Sequence, residues 1–263
     1  MSRTRLERTD AIATLWLDRP DKRNAMDAEL VKELGDAFDA IAADRSIRVV
    51  VLRGAGPVFS SGIDHSLLTG VMQTSRTQPF AHIHHQLQDT FHRMTRLQQP
   101  VIAALHGVCL GMAFEFALAA DIRIASEDCV VGLPEIAFGL VPDVGGTTRL
   151  VRAAGEPRAR ELIMTGRLLK ARTAERYGLL HEVVGPADDL AARISKRATH
   201  LASLSPAALG LAKTLCQASA DSGGATSFRL EGVVQEALMM QPDLLTRFPS
   251  GLAFIKAMVA DAE

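Results

Sequence analysis

The chain has 263 residues, is 48% apolar and carries a formal net charge of −1, enough for one large core or one core with a small satellite. The near-neutral balance argues against nucleic acid or an anionic membrane as main partner, since both need a basic surface. Its three cysteines, Cys109, Cys129 and Cys216, lie far apart. That spacing suits neither a disulfide framework nor a zinc knuckle, so they read as thiols of a reducing compartment.

Met1 to Asp10 is polar and has no apolar signal core. No apolar run approaches the ~20 residues of a membrane span; the longest, 101–120, is broken by Gly107 and Gly111 and carries Glu115. A cytoplasmic protein is expected. Residues 11–17 predict a strand, followed by the polar turn Asp18-Arg-Pro-Asp-Lys-Arg-Asn-Ala25. Asp27 then caps a helix whose apolar stripe is Leu30, Leu34, Phe38 and Ile41. The run Val49 to Leu52 predicts a buried strand and leads into a Gly/Ser loop over 54–64. Residues 66–79 lack periodicity and read as a mobile excursion.

Phe80, Ile83, Leu87, Phe91 and Met94 mark a long amphipathic helix ending before Pro100. A strand over 101–105 follows, then a turn at His106 and Gly107 into a helix across 111–120, then short strands over 121–125 and 129–131. From Gly145 the pattern is mostly helical, with Val183 and Val184 as the late strand-like piece. This ordering predicts an α/β core over 1–200 and a helical C-terminal region over 201–263.

Three glycine-containing turns place backbone N–H groups where a cleft can form: Phe59-Ser-Ser-Gly-Ile-Asp64, His106-Gly-Val-Cys-Leu-Gly-Met-Ala-Phe-Glu115, and the stretch from Gly132-Leu-Pro-Glu135 to Gly146. A helix starting near Gly111 leaves its first amides unpaired, beside the positive end of its dipole. A developing oxyanion is stabilised in such a place. Glu115 lies about one turn further on, inside an apolar helix where a carboxylate needs a partner or a task. Glu135 and Asp143 each follow a proline, as turn or cap residues also do.

The three turns, in this order and spacing, resemble the crotonase superfamily, the enoyl-CoA hydratase/isomerase family. The block from Asp18 to Met26 resembles its N-R-P-x-x-x-N-A-[LM] segment, residues 59–64 its F-[SAC]-[SA]-G-x-D loop, and residues 106–126 its most diagnostic stretch. Leu133-Pro-Glu135 and Pro142-Asp-Val-Gly-Gly-Thr147 follow in register. The resemblance implies an α/β fold of repeated ββα units with a helical C-terminal trimerisation region, often paired into hexamers. It implies that the amides of Ile63 and Met112 form an oxyanion hole for a thioester carbonyl, with Glu115 and Glu135 as the catalytic pair.

The implied activity is hydration of a trans-2-enoyl-CoA, in fatty-acid or related acyl-CoA metabolism. It needs no metal and no cofactor beyond the coenzyme A of the substrate. Asp143 stands where many hydratases have glycine and some isomerases an aspartate. A dienoyl-CoA or other double-bond isomerase is therefore the alternative, with an N-cap at Gly145–Ala154 as the structural reading of Asp143. A catalytically idle RNA-binding or scaffold protein is a third reading, against which the Glu115/Glu135 pair counts. Lys22, Arg23, Ser61, Gly62, Asp64, Gly111, Phe254 and Lys256 are the candidate coenzyme A and substrate contacts; an apolar helix face with a solvated lysine is the alternative for the last two. The run Ala81-His-Ile-His-His-Gln86 holds His82, His84 and His85 but no acidic or cysteine partner, so no metal site is expected there.

Overall fold

The computed structural model describes residues 2–74, 80–185 and 189–261. The chain divides into two compact units, Met1–Pro206 and Ala207–Glu263. In order, the first holds β1 (Thr4–Thr9), β2 (Ile12–Leu17), α1 (Ala28–Ala43), β3 (Val49–Gly54), α2 (His65–Thr74), α3 (Phe80–Arg96), β4 (Val101–Leu105), β5 (Val108–Leu110), α4 (Met112–Leu118), β6 (Ile122–Ser126) and β7 (Val130–Gly132). It continues through α5 (Gly146–Ala154), α6 (Glu156–Thr165), β8 (Leu169–Lys170), α7 (Ala171–Arg176), β9 (Glu182–Val184) and α8 (Leu190–Ser203). The helices α9 (Pro206–Asp221), α10 (Gly224–Met239) and α11 (Leu244–Asp261) follow.

Strands β1-β2-β3-β4-β6-β9 form one sheet, parallel apart from the β1–β2 pair, and β5-β7-β8 form a smaller one. The uninterrupted apolar runs of β3 and β4 arise because both sheet faces are covered. Val50, Leu52, Val101, Ala103 and Leu105 join the main core with α1, α3 and α4. Val49, Val51, Ile102 and Ala104 point the other way, onto Ile194 and Ala198 of α8. The predicted stripe of α1 is buried, and Asp27 caps that helix by accepting from the Leu30 N–H at 2.9 Å. Phe116 of α4 packs against Phe91 of α3 with ring centroids 4.9 Å apart.

The structure departs from the sequence expectations at several elements. β1 pairs antiparallel with β2 over its whole length but is largely exposed, so it has no apolar alternation to read. Strands β5 and β8 are three and two residues long, too short for a periodic signal. The stretch expected to be a mobile excursion is helical from His65 to Thr74; its remaining residues, 75–79, lie outside those described. The Asp64 carboxylate nucleates that helix by accepting from the Ser66 N–H at 2.9 Å and its hydroxyl at 2.7 Å. No helix among the described residues is long and apolar enough to cross a membrane.

In the C-terminal unit, Phe228, Val233, Met240, Leu245, Phe248 and Ile255 are exposed.

Candidate active site

Two stretches of backbone are paired so that the first two glycine turns converge. Ser60 bridges Cys109 in parallel, with the Ser60 N–H donating to Val108 O at 3.0 Å and the Leu110 N–H to Ser60 O at 3.3 Å. Two residues on, the loop comes against the start of α4: a Cβ on Gly62 would lie 3.7 Å from Met112 N. A second bridge ties Met26 to the loop through Gly62 O and the Asp64 N–H, passing over the N–H of Ile63. Met112 opens α4, so its own N–H has no acceptor within the helix. Gly62 must be glycine: its φ is +101° and a Cβ would lie 2.6 Å from Leu110 O.

The loop is pinned from below by Asn24, Ser60 and Arg19, which the sequence marks only as members of its motifs. Asn24 is buried and donates its side-chain amide to Ala55 O, Val58 O and Phe59 O, at 2.8, 2.9 and 3.1 Å. Ser60 Oγ donates to Asn24 O at 2.7 Å. Arg19 bridges the carboxylates of Asp27 and Asp64, at 3.1 and 3.0 Å. The Ser66 hydroxyl and amide, with Arg19, hold the Asp64 carboxyl down at about 2. Asp64 thus braces the loop and caps α2.

The third turn brings in the carboxylates. The Gly111 N–H donates to Gly132 O at 2.9 Å, tying the start of α4 to the end of β7. The chain then passes Leu133 and Pro134 into a 3₁₀ turn, Glu135–Phe138. The Glu135 carboxylate lies against Gly111, with Oε1 3.1 Å from where a Cβ on that residue would sit. Both its oxygens are buried without a hydrogen-bond partner. Such a carboxylate is costly unless something else enters to bind it. Burial, with Asp143 adding to it, pushes Glu135 up to about 7.

Glu115 is 2% exposed, and its Oε2 accepts from the Val144 N–H at 3.0 Å and the Gly146 N–H at 2.7 Å. Burial raises its pKa to about 8, Glu135 and Asp143 push the same way, and the two amides oppose them. A Cβ on Gly146 would fall 2.4 Å from Glu115 Cγ, so a glycine at this position lets the carboxylate in. Asp143 does not cap α5, so the structural alternative for it does not hold. Gly145 occupies the N-cap of α5 with no side-chain cap bond, and the carboxylate that reaches the first turn is that of Glu115, from another helix. Asp143 is partly exposed, its carboxyl raised by burial and drawn back by His84. His84 Nε2 stands 3.7 Å from Asp143 Oδ2.

Of the remaining sequence candidates, Lys22 and Arg23 are exposed beside the loop, since the Ser61 N–H donates to Arg23 O at 3.0 Å. Phe254 and Lys256 belong to α11 of the C-terminal unit. The side chain of His82 lies outside the described residues, and among those described no three metal-ligating side chains are grouped to hold an ion. A cleft of about 710 Å³ between α1, α2 and α3 includes none of the three carboxylates, so the site is placed by the convergence of acids and free amides.

A sequence profile described as enoyl-CoA hydratase/isomerase matches residues 7–248. The chain belongs to that family. It is 35% identical over 209 residues to the short-chain-enoyl-CoA hydratase of Clostridium acetobutylicum, covering 79% of this chain and 78% of the relative. The enoyl-CoA hydratase of Bacillus anthracis superposes with a TM-score of 0.87 at 32% identity, over 97% of this chain and 96% of that one. A Thermobifida fusca structure solved with acetoacetyl-CoA superposes with a TM-score of 0.82 at 30% identity, over 90% and 95% of the two chains. The crotonase fold expected from the glycine turns is the fold of these neighbours.

Proposed function

We propose that this family member is an enoyl-CoA hydratase that adds water across the double bond of a trans-2-enoyl-CoA. The observation that carries the reading is the meeting of two buried carboxylates, Glu115 and Glu135, beside the Gly111–Met112 turn. The names of the relatives and the acetoacetyl-CoA bound to one neighbour support an acyl-CoA thioester as substrate.

In this reading the thioester carbonyl accepts from the N–H groups of Ile63 and Met112, which stabilise the enolate as it forms. One such donor is typically worth ~10²–10³ in rate. Water adds its oxygen to C3 and gives up a proton to the carboxylate pair, while C2 takes a proton from the pair. The pair ends as it began. Raised pKa values of about 8 and 7 let it hold one proton between its two members near neutrality. The unpartnered oxygens of Glu135 are suited to receive the water. Lys22 and Arg23 supply positive charge beside the loop for the phosphates of coenzyme A. The chemistry calls for no metal or redox group, coenzyme A being part of the substrate. The exposed apolar residues of α10 and α11 support assembly into a trimer or a hexamer.

The test is loss of the conjugated-thioester absorbance with crotonyl-CoA and longer trans-2-enoyl-CoAs. Glu115→Gln and Glu135→Gln are each expected to lower kcat by about 10²–10⁴. No loss with any chain length in the unaltered protein would overturn the hydratase reading and turn attention to dienoyl-CoA substrates.

A further inference from the structure

Residues His84 and Gln88 stand one turn apart on α3, and both reach the same atom across the site. His84 Nε2 lies 2.6 Å from Asp143 O, and the Gln88 side-chain amide donates to that oxygen at 2.9 Å. A carbonyl oxygen only accepts, so Nε2 of His84 carries the proton. The 3.1 Å approach of Gln88 Nε2 to that ring nitrogen is then a packing contact between two donors that share one acceptor.

The carbonyl of Asp143 and the N–H of Val144 belong to one peptide group, and that N–H donates to Glu115 Oε2 at 3.0 Å. Donors on the oxygen polarise the peptide and strengthen its N–H as a donor. They also lock the plane of that peptide; the second amide on the same carboxylate oxygen, that of Gly146 at 2.7 Å, belongs to the Gly145–Gly146 peptide. On its far side the segment is held by Arg149 Nη1, which donates to Val144 O at 3.0 Å, and by Thr147 Oγ1, which donates to Pro142 O at 2.9 Å.

We propose that His84, assisted by Gln88, is a positioning residue that orients and holds Glu115 through the Asp143–Val144 peptide. It rests on the hydratase reading only for its effect on rate; the effect on Glu115 itself is independent of substrate. The charged groups that act on Glu115 are Glu135 from the 3₁₀ turn, Asp143 from the clamped segment and Arg149 from α5. His84 acts electrostatically on Asp143. Removing His84 weakens the Val144 amide donor that favours the ionised carboxylate, so the Glu115 titration moves to higher pH.

The experiment measures that titration by carbon-13 NMR of protein labelled in its glutamate carboxyls, with the Glu115 resonance assigned by its absence in Glu115→Gln. Steady-state kinetics with crotonyl-CoA accompany it. His84→Ala is expected to raise the Glu115 midpoint and lower kcat about tenfold, with KM changed less than twofold. His84→Gln, which keeps an N–H donor and cannot titrate, is expected to restore most of both. Gln88→Ala is expected to shift the midpoint in the same direction by a smaller amount, and it decides the matter if His84→Ala does not fold. An unmoved Glu115 midpoint in His84→Ala, or in Gln88→Ala where that variant has to stand in, overturns the proposal. So does a His84→Gln protein as defective as His84→Ala. A wild-type protein that does not hydrate enoyl-CoAs would sink the hydratase reading while leaving the titration to decide the role of His84.

Discussion

The two walls of the site are held by different means. On one side, residues 59–64 are laddered backbone to backbone, to 108–110 through the Ser60–Cys109 bridge and to Met26 through the Met26–Ile63 bridge, and Asn24 ties down the carbonyls behind them. On the other, residues 135–146 meet their neighbours mainly through side chains: Glu115, His84, Gln88, Arg149 and Thr147. A backbone ladder tolerates changes of side chain because its partners are peptide groups. A segment clamped by side chains passes any substitution straight to the carboxylate it carries.

The largest expected effect tests that contrast directly. Gly146→Ala puts a methyl group on the Glu115 side chain and is expected to lower kcat by about 10²-fold or more, as misplacing a catalytic group by about 1 Å does. Met112→Leu keeps both the backbone N–H and the volume, and is expected to leave kcat within about threefold because the hole uses only the amide. Equal losses in the two variants, followed by the same absorbance assay, would break the comparison.

A medium-sized effect concerns pH and stability. Glu115 and Glu135 have folded-state pKa values of about 8 and 7, against an ordinary glutamate value of 4.5. Between pH 5 and 8 the unfolded chain therefore holds fewer protons at these positions than the folded one, and their contribution to stability falls as pH rises. Glu115→Gln removes one of these groups. Its Tm, measured by calorimetry, is expected to drop less between pH 5 and 8 than that of the wild type, by a difference on the order of 5 °C. An identical pH slope in the two proteins would show that Glu115 titrates normally.

The smallest effect is expected at Asp143→Asn. Asp143 is partly exposed and caps no helix, and its clamped group is the main-chain carbonyl, which the substitution retains. Hydration is expected to change by less than about threefold, since no buried bond is lost. A large loss of hydration would move Asp143 into the proton-transfer machinery, whereas a selective loss of double-bond isomerisation would favour the isomerase.

Much of this architecture was legible from periodicity and cap chemistry. The stripe of α1 with its Asp27 cap, the two-faced strands β3 and β4, and the amphipathic α3 are each encoded in one contiguous segment of at most 17 residues. The glycine turns and Glu115 were legible because a buried carboxylate in an apolar helix and a glycine before a helix are locally anomalous, whereas Glu135, locally a turn or cap residue, was legible only through the family resemblance. The edge strand β1 was not, since an exposed strand paired only on one side needs no apolar alternation. Neither was α2, which buries no residue and so shows no apolar stripe.

The sequence by itself determined the local elements, the glycines that permit close approach and the family to which the chain belongs. It could not decide what each carboxylate touches. That Glu115 caps α5 from another helix, that Glu135 lies unpartnered against Gly111, and that His84 and Asp143 meet across 59 residues are tertiary facts. Contacts of that kind depend on how the chain closes on itself, and no window of neighbouring residues carries them.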